Sequence, residues 1–485
     1  MLRYLYLLLV CLAPSSVLAA DKPNVLFIAV DDLRPELGCY GQQDIQSPNI
    51  DRLAARGTTF LRAYCQQAVC NPSRASIMTG LRPDTTRVWD LPTHFRDTTP
   101  DAVTIAQHFK AHGYHSEGIG KIFHTGHGNR DDKFSWSRQV NYPKKPRFSP
   151  EGLRLLAKRK QEAQQAGKSK QEISLIRGVP WEAPDLPDGE LTDGAVADQA
   201  LKLLNELKDR PFFLAVGFLN PHLPFVAPKK YWDLYQRDAI QLPDNMQPPE
   251  GMPSLAGTSW GELRRYHGIP ARGPLSRDQA ISMIHGYWAA VSYVDAQVGR
   301  LLNELDRLGL ADNTIVVLWG DHGWKLGEHG MWCKHTNFEL DAHAPLIISA
   351  PGQQAAGKQT PALVEFVDVF PTLCELAELP LPDKLEGTSA VPLLNEPQRP
   401  WKAAAFSQYP RGKVMGYTMK TDRYRFTQWV NREQPTEVVA VELYDHQVDP
   451  AENHNLAAGP EHAALVAELA KQLAAGWQAS KPRSR

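Results

Sequence analysis

The 485-residue sequence predicts an α/β fold, a doubly wound sheet flanked by helices, with a smaller α+β part at its C-terminal end. Three observations predict it. Asn24–Val30, Phe212–Phe218 and residues 314–319 are short, nearly continuous apolar runs, as expected of strands buried on both faces. Each run ends on polar residues: Asp31-Asp32, Asn220-Pro221-His222 and Gly320-Asp321-His322-Gly323. Segments of helical pattern alternate with these runs, which argues for a doubly wound sheet. In open α/β sheets ligands gather at the carboxyl ends of parallel strands, so the three polar ends are expected to converge.

Taken in order, a helix over Pro48–Arg56 follows Ser47, with proline in its first turn. A second opens at Ala75. A third covers 104–112 and stops at Gly113, and a long one covers 276–308 and stops at Gly309. The texture changes after about Asp383. Residues 416–420 and 424–430, joined by Thr421-Asp422-Arg423, read as a hairpin, and 461–477 as a terminal helix. The expected division is a leader at 1–20, a large N-terminal domain at 21–382 and a smaller α+β domain at 383–485.

The leader has Arg3, a Leu-rich run and small residues at Val17 and Ala19, the pattern of a cleaved signal peptide. An exported protein, periplasmic or secreted and without stable membrane insertion, is expected. Beyond the leader lie Cys39, Cys65, Cys70, Cys333 and Cys374, an odd number. Spacing leaves both pairing and burial as free thiols open for four of them. The net charge of −1 gives no reason to expect nucleic acid as a partner. The charge is nonetheless uneven: residues 144–177 hold ten Lys or Arg against Glu151, Glu162 and Glu172, which reads as a solvated, partly helical insertion.

Cys70-Asn71-Pro72-Ser73-Arg74, followed by Thr79-Gly80, resembles the signature of the type I sulfatases. By itself the pentapeptide also reads as a turn leading into a helix around a buried cysteine. The resemblance implies an alkaline-phosphatase-like mixed sheet. It further implies that a formylglycine-generating enzyme converts Cys70 to formylglycine (3-oxoalanine). The hydrated aldehyde carries two hydroxyls on one carbon, one to attack sulfur and one to expel sulfate, so nucleophile and exit route come together.

Asp31, Asp32 and Asp321 offer hard carboxylate oxygens, with the His322 imidazole beside them. The resemblance assigns one divalent cation, Ca²⁺ with Mg²⁺ as the alternative, to Asp31, Asp32, Cys70, Asp321 and His322. It implies Arg74 on the aldehyde hydrate, since a guanidinium keeps its charge. Gly120-Lys121-Ile122-Phe123-His124 is similar to the family's Gly-Lys-x-x-His, implying Lys121 on the sulfate and His124 as the base on the second hydroxyl. His222 and Lys334 would contact sulfate oxygens and the leaving alkoxide. His94, His108, His112, His115 and His127 receive no role.

Within that family the chain is most similar to the iduronate-2-sulfatase branch. The residues that carry the likeness include Arg82-Pro83-Asp84-Thr85-Thr86-Arg87, the run from Asp321 to Gly330, and Ser407-Gln408-Tyr409-Pro410-Arg411. The implied substrate is a 2-O-sulfated uronate of a glycosaminoglycan, or another sulfated polysaccharide such as an algal galactan. Trp324, Trp332 and Tyr409 are candidates for stacking on the sugar. A phosphoester hydrolase and a non-catalytic glycan-binding protein are the competing functions. The first would call for several His ligands and a Ser or Thr nucleophile.

Overall fold

A computed structural model describes residues 22–140 and 142–482; the expected leader lies outside them. Seven strands form the central sheet, in the order His115–Gly120, Phe212–Phe218, Asn24–Val30, Thr314–Gly320, Leu346–Ser349, Thr58–Tyr64, Lys358–Glu365. All neighbours pair in parallel except Leu346–Ser349, which is antiparallel to both of its neighbours, so the sheet is mixed. The period-2 pleat divides each central strand between two cores. Leu26, Ile28 and Val30 face the long helix Arg277–Leu308, and Val25, Phe27 and Ala29 face the opposite layer, which contains the helix Cys70–Thr79. This two-sided burial explains why the central strands read as unbroken apolar runs.

The long helix is bounded as its sequence indicates. Ser276 and Gln279 form a capping box, and Gly309 closes the end at φ 69°. The helix expected to open at Ala75 instead begins at Cys70. Val69 is extended before it, and Pro72 sits within the first turn, where its missing N–H costs nothing. All five cysteines among the described residues are free thiols.

The expected hairpin is part of a four-stranded antiparallel sheet, Ala405–Arg411, Val414–Lys420, Tyr424–Asn431 and Val438–Asp445. The helix Ala463–Ala479 contributes Leu469 to the core formed with this sheet. Arg425 ties the small sheet to the larger layer through Glu339, and pairs within its own part with Glu452 at 2.8 Å.

Buried Glu442 sits near that junction and accepts hydrogen bonds from Trp429 Nε1 at 2.7 Å and Tyr444 at 2.9 Å. Burial, with Glu452 nearby and only partly offset by Arg425, pushes its carboxyl up to about 7. The folded state therefore binds this proton more tightly than the unfolded chain, and stability falls as pH rises from the ordinary carboxylate range to about 7. Glu442→Gln is expected to flatten this dependence and to gain roughly 1–3 kcal/mol at pH 8. Urea unfolding at pH 5 and pH 8 reads the slope, and a slope unchanged by the substitution contradicts the assignment.

Candidate active site

The three polar strand ends do converge. Asn24–Val30 lies between the other two strands, with Val30 in register with Phe218 on one side and Gly320 on the other. Asp31, Leu219 and Asp321 therefore leave the sheet side by side. The Asp31 N–H still donates to Phe218 O, and that of Asp321 to Val30 O. Asp32 turns into the left-handed region at φ 59°, and its N–H donates to Asp321 Oδ1 at 3.0 Å. The Cys70–Thr79 helix aims its N-terminus at this edge, where Cys70 Sγ lies 3.4 Å from His322 Nε2. Lys121 arrives from the end of His115–Gly120. Gly217 permits the approach, because a Cβ there would stand 2.2 Å from Lys121 O.

Charges in the cluster are tightly paired. Arg74 is fully buried and donates to Asp321 Oδ2 at 2.8 Å, Asp31 Oδ1 at 3.2 Å and the carbonyls of Lys121 and Ile122. Its partners are the carboxylates of Asp31 and Asp321 rather than Cys70. Lys121 pairs with Asp31 Oδ2, and Lys334 with both oxygens of Asp32 at 3.0 and 2.9 Å. Burial would raise Asp31, but Lys121, His222 and Arg74 together hold it well below the usual carboxylate range. Burial, with Asp31 and Asp321 nearby, pushes Asp32 well up despite Lys334. Burial, reinforced by Asp31, likewise raises the Cys70 thiol.

The donor set fits a hard divalent cation. Asp31, Cys70, Asp321 and His322 each present one buried ligand atom within 4.8 Å of the others, and Asp31, Asp32, Cys70 and His222 form an overlapping group. Three carboxylates this close repel one another, a cost that a dication removes. His322 Nδ1 donates to Gly323 O at 3.0 Å in the neutral ring, which leaves the Nε2 lone pair facing the cluster. A further group, Glu339, His446 and Glu452, surrounds the Arg425 junction instead.

His124 and His222 stand at the rim. Burial and Lys121 push His124 down to about 3, so it is neutral; its buried Nδ1 has no hydrogen-bond partner. Its Nε2 lies 3.2 Å from Nδ1 of His127, a residue the sequence left without a role. His222 Nδ1 lies 2.7 Å from Leu223 O and donates to it, so the neutral ring keeps its lone pair on Nε2. Burial and Lys334 hold His222 well below the usual range. Its 3.3 Å approach to Glu262 is an ion pair only when the ring is protonated. The other four unassigned histidines are engaged elsewhere: His94 stacks on Phe95, His108 packs on His112, and His115 contacts Glu117.

Glu262 is the residue that sequence reasoning missed. Its carboxylate bridges His222 and Lys334, each at 3.3 Å. It sits in an irregular loop just before the turn Leu263–Arg265, with no motif around it; the only signal was a lone acid among basic residues.

The stacking candidates are overturned. Trp324 and Trp332 are 0% and 1% exposed, within the main core, and Tyr409 lies beneath Arg411 at 4.2 Å. The Trp324 ring instead backs Lys334, whose Nζ is 4.8 Å from its centroid. Trp324→Ala is expected to cost about 3–5 kcal/mol of stability, as a core truncation does. An unchanged melting curve would contradict this placement.

Comparison with known proteins agrees with this geometry. The sulfatase family model matches residues 23–379, and the model for the C-terminal part of N-sulphoglucosamine sulphohydrolase matches 327–479. The chain is 36% identical to iduronate 2-sulfatase of Homo sapiens over 92% of this chain and 94% of that one. It is 35% identical to a sulfatase of Formosa agariphila, over 89% and 82% of the two chains. Similar folds occur in the phosphonate monoester hydrolase of Agrobacterium radiobacter (TM-score 0.74, 24% identity, 94% and 95% covered) and in a 2-O GAG sulfatase (TM-score 0.71, 23%, 95% and 93%).

Proposed function

Because the chain belongs to the sulfatase family, as a sulfuric ester hydrolase related to iduronate 2-sulfatase, we propose that it releases sulfate from a sulfated sugar through a formylglycine formed at Cys70. The meeting of Cys70 with Asp31, Asp321 and His322 in one buried cluster carries this reading. A cation bound by Asp31, Asp32, Asp321, His322 and residue 70, Ca²⁺ for preference, would polarise a sulfate oxygen. The formylglycine supplies a hydroxyl nucleophile and, through its second hydroxyl, the route by which sulfate leaves.

The other side chains bind, orient and move protons. Arg74 holds Asp31 and Asp321 in place and helps keep Asp31 ionised. Lys121 and Lys334, held on Asp31 and Asp32, present their ammonium groups where sulfate charge accumulates. His124, neutral and with Nδ1 unpartnered, accepts a proton there. His222, with Nδ1 committed to Leu223 O, exchanges a proton at Nε2 with the leaving oxygen. The catalytic part corresponds to 21–382 and the smaller α+β part to 383–485. Export follows from the leader; no helix among the described residues is long and apolar enough to cross a membrane.

The 2-O-sulfated uronate of a glycosaminoglycan is the substrate we favour, supported by the likeness to iduronate 2-sulfatase. Peptide mass spectrometry across Cys70, with sulfate release from a panel of sulfated disaccharides, tests the reading. Conversion of thiol to aldehyde is the expected result, together with release from 2-O-sulfated uronate that is lost on chelation and restored by Ca²⁺. Conversion with release only from sulfated galactans replaces the uronate. An unmodified thiol in a host that matures other sulfatases points to a glycan-binding protein, and turnover of the matching phosphorylated sugars with no sulfate released from the sulfated ones points to a phosphoester hydrolase.

A further inference from the structure

The acid that bridges His222 and Lys334 stands beside the two groups assigned to the sulfate and the leaving oxygen. Glu262 places one carboxylate oxygen 3.3 Å from His222 Nε2 and the other 3.3 Å from Lys334 Nζ. Both partners hold shorter contacts elsewhere: His222 Nδ1 with Leu223 O at 2.7 Å, and Lys334 with the two oxygens of Asp32 at 3.0 and 2.9 Å. Glu262 is also the most open of the three, its side chain 27% exposed against 16% for His222 and 3% for Lys334. It therefore forms the outer wall of this part of the site.

The segment that carries Glu262 is built to hold it there. Trp260, two residues earlier, adopts φ 43°, a left-handed conformation unusual for an aromatic residue, and its ring is buried in the main core. The Arg264 guanidinium lies on that ring, 3.3 Å from the centroid, and donates to the carbonyls of Ser259, Pro270 and Gly273. On the other side, His335 follows Lys334 at φ 93°. Arg411 joins the two segments by donating to Leu255 O, Gly257 O and His335 O at 2.9, 3.0 and 2.6 Å. Two strained residues kept in place by this network mark a fixed position rather than a chance surface pair.

A carboxylate beside a sulfate-binding centre opposes the bound anion, so its place in the wall calls for a neutral group that donates a hydrogen bond. A sugar supplies one. When the ester oxygen reaches His222 Nε2 or Lys334 Nζ, the hydroxyl on the adjacent ring carbon lies about one hydrogen-bond length away from it, within reach of Glu262. We propose that Glu262 is a specificity-determining residue that accepts a hydrogen bond from a free hydroxyl on the sugar carbon next to the one bearing the sulfate ester. The inference rests on the sulfatase reading and deepens it to the part of the sugar that is recognised.

The test uses the mature, metal-loaded protein and the sulfated sugar of the panel that it turns over, paired with counterparts that lack, in turn, each free hydroxyl on an adjacent carbon. The parent is expected to prefer the hydroxylated sugar over one counterpart by about 10- to 100-fold in kcat/KM, the size of a hydrogen bond to a charged acceptor. In Glu262→Ala that preference should fall to about twofold or less, because neither sugar then finds the partner. Glu262→Gln keeps an uncharged acceptor of the same shape; it should retain an intermediate preference, and it serves where the alanine variant does not fold. The preference is a ratio within one protein, so a general loss of activity through His222 or Lys334 cancels from it. A preference absent from the parent, or unchanged in the variants, overturns the hydroxyl contact and leaves the sulfatase reading standing. Wild-type protein that carries formylglycine yet releases sulfate from no ester overturns both.

Discussion

Cys70→Ala is expected to abolish sulfate release, a loss of about 10⁵-fold or more, comparable to removal of the nucleophile in other hydrolases. The fold should survive. The side chain is small, lies at the first position of its helix, and makes its one polar contact through Sγ with His322. Near-UV circular dichroism and retained affinity for the sulfated sugar would show that chemistry, not structure, was lost. Cys70→Ser sharpens the test. It keeps one hydroxyl but not two on the same carbon, so it is expected to release at most one equivalent of alcohol and no sulfate. Continuous turnover by the serine variant would contradict the need for a second hydroxyl at residue 70.

The second large effect belongs to Arg74→Met. The guanidinium is fully buried against Asp321 and Asp31, and methionine would leave two buried carboxylates short of a partner. Breaking a buried pair in this way costs about 3–5 kcal/mol. Loss of a charge held against the reacting group's carboxylates should lower kcat by about 10³-fold. The stability loss should be greatest in chelator and shrink as Ca²⁺ is added, because an ion bound only by the folded state supplies the missing positive charge. Thermal unfolding with chelator and with Ca²⁺ measures both arms. Equal stability of variant and parent in chelator would mean that the buried Asp31 and Asp321 do not depend on Arg74 as a partner.

Both effects follow from convergence of residues far apart in the chain, and part of that convergence was legible beforehand. Asn24–Val30 and Phe212–Phe218 have the predicted bounds, and Thr314–Gly320 extends one residue past its expected end. The other four strands of the sheet were not read. His115–Gly120, with sequence His-Ser-Glu-Gly-Ile-Gly, contains no apolar run and becomes a strand because it lies along Phe212–Phe218. The helix was placed at Ala75 because Pro72 suggested a turn, whereas a first-turn proline is compatible with a helix that starts at Cys70. Trp324 and Trp332 look like sugar platforms in sequence, since an aromatic residue near a motif carries no sign of which way it faces.

The sequence by itself determined the wound α/β core and the long capped helix, and it singled out Asp31, Asp32, Cys70, Arg74, Asp321 and His322, which the fold brings to one edge of the sheet. Those properties are local: apolar periodicity, caps and a short motif are written in neighbouring residues. Tertiary structure alone decided that Arg74 pairs with carboxylates rather than with residue 70, that Glu262 bridges His222 and Lys334, and that His127 stands against His124. It also decided that the basic insertion reaches the site, where Arg147 donates to the carbonyl of His222. The charge contacts among these join residues up to 247 apart along the chain. Their partners are chosen by packing and by the cost of leaving a buried charge unpaired, neither of which any local stretch of sequence records.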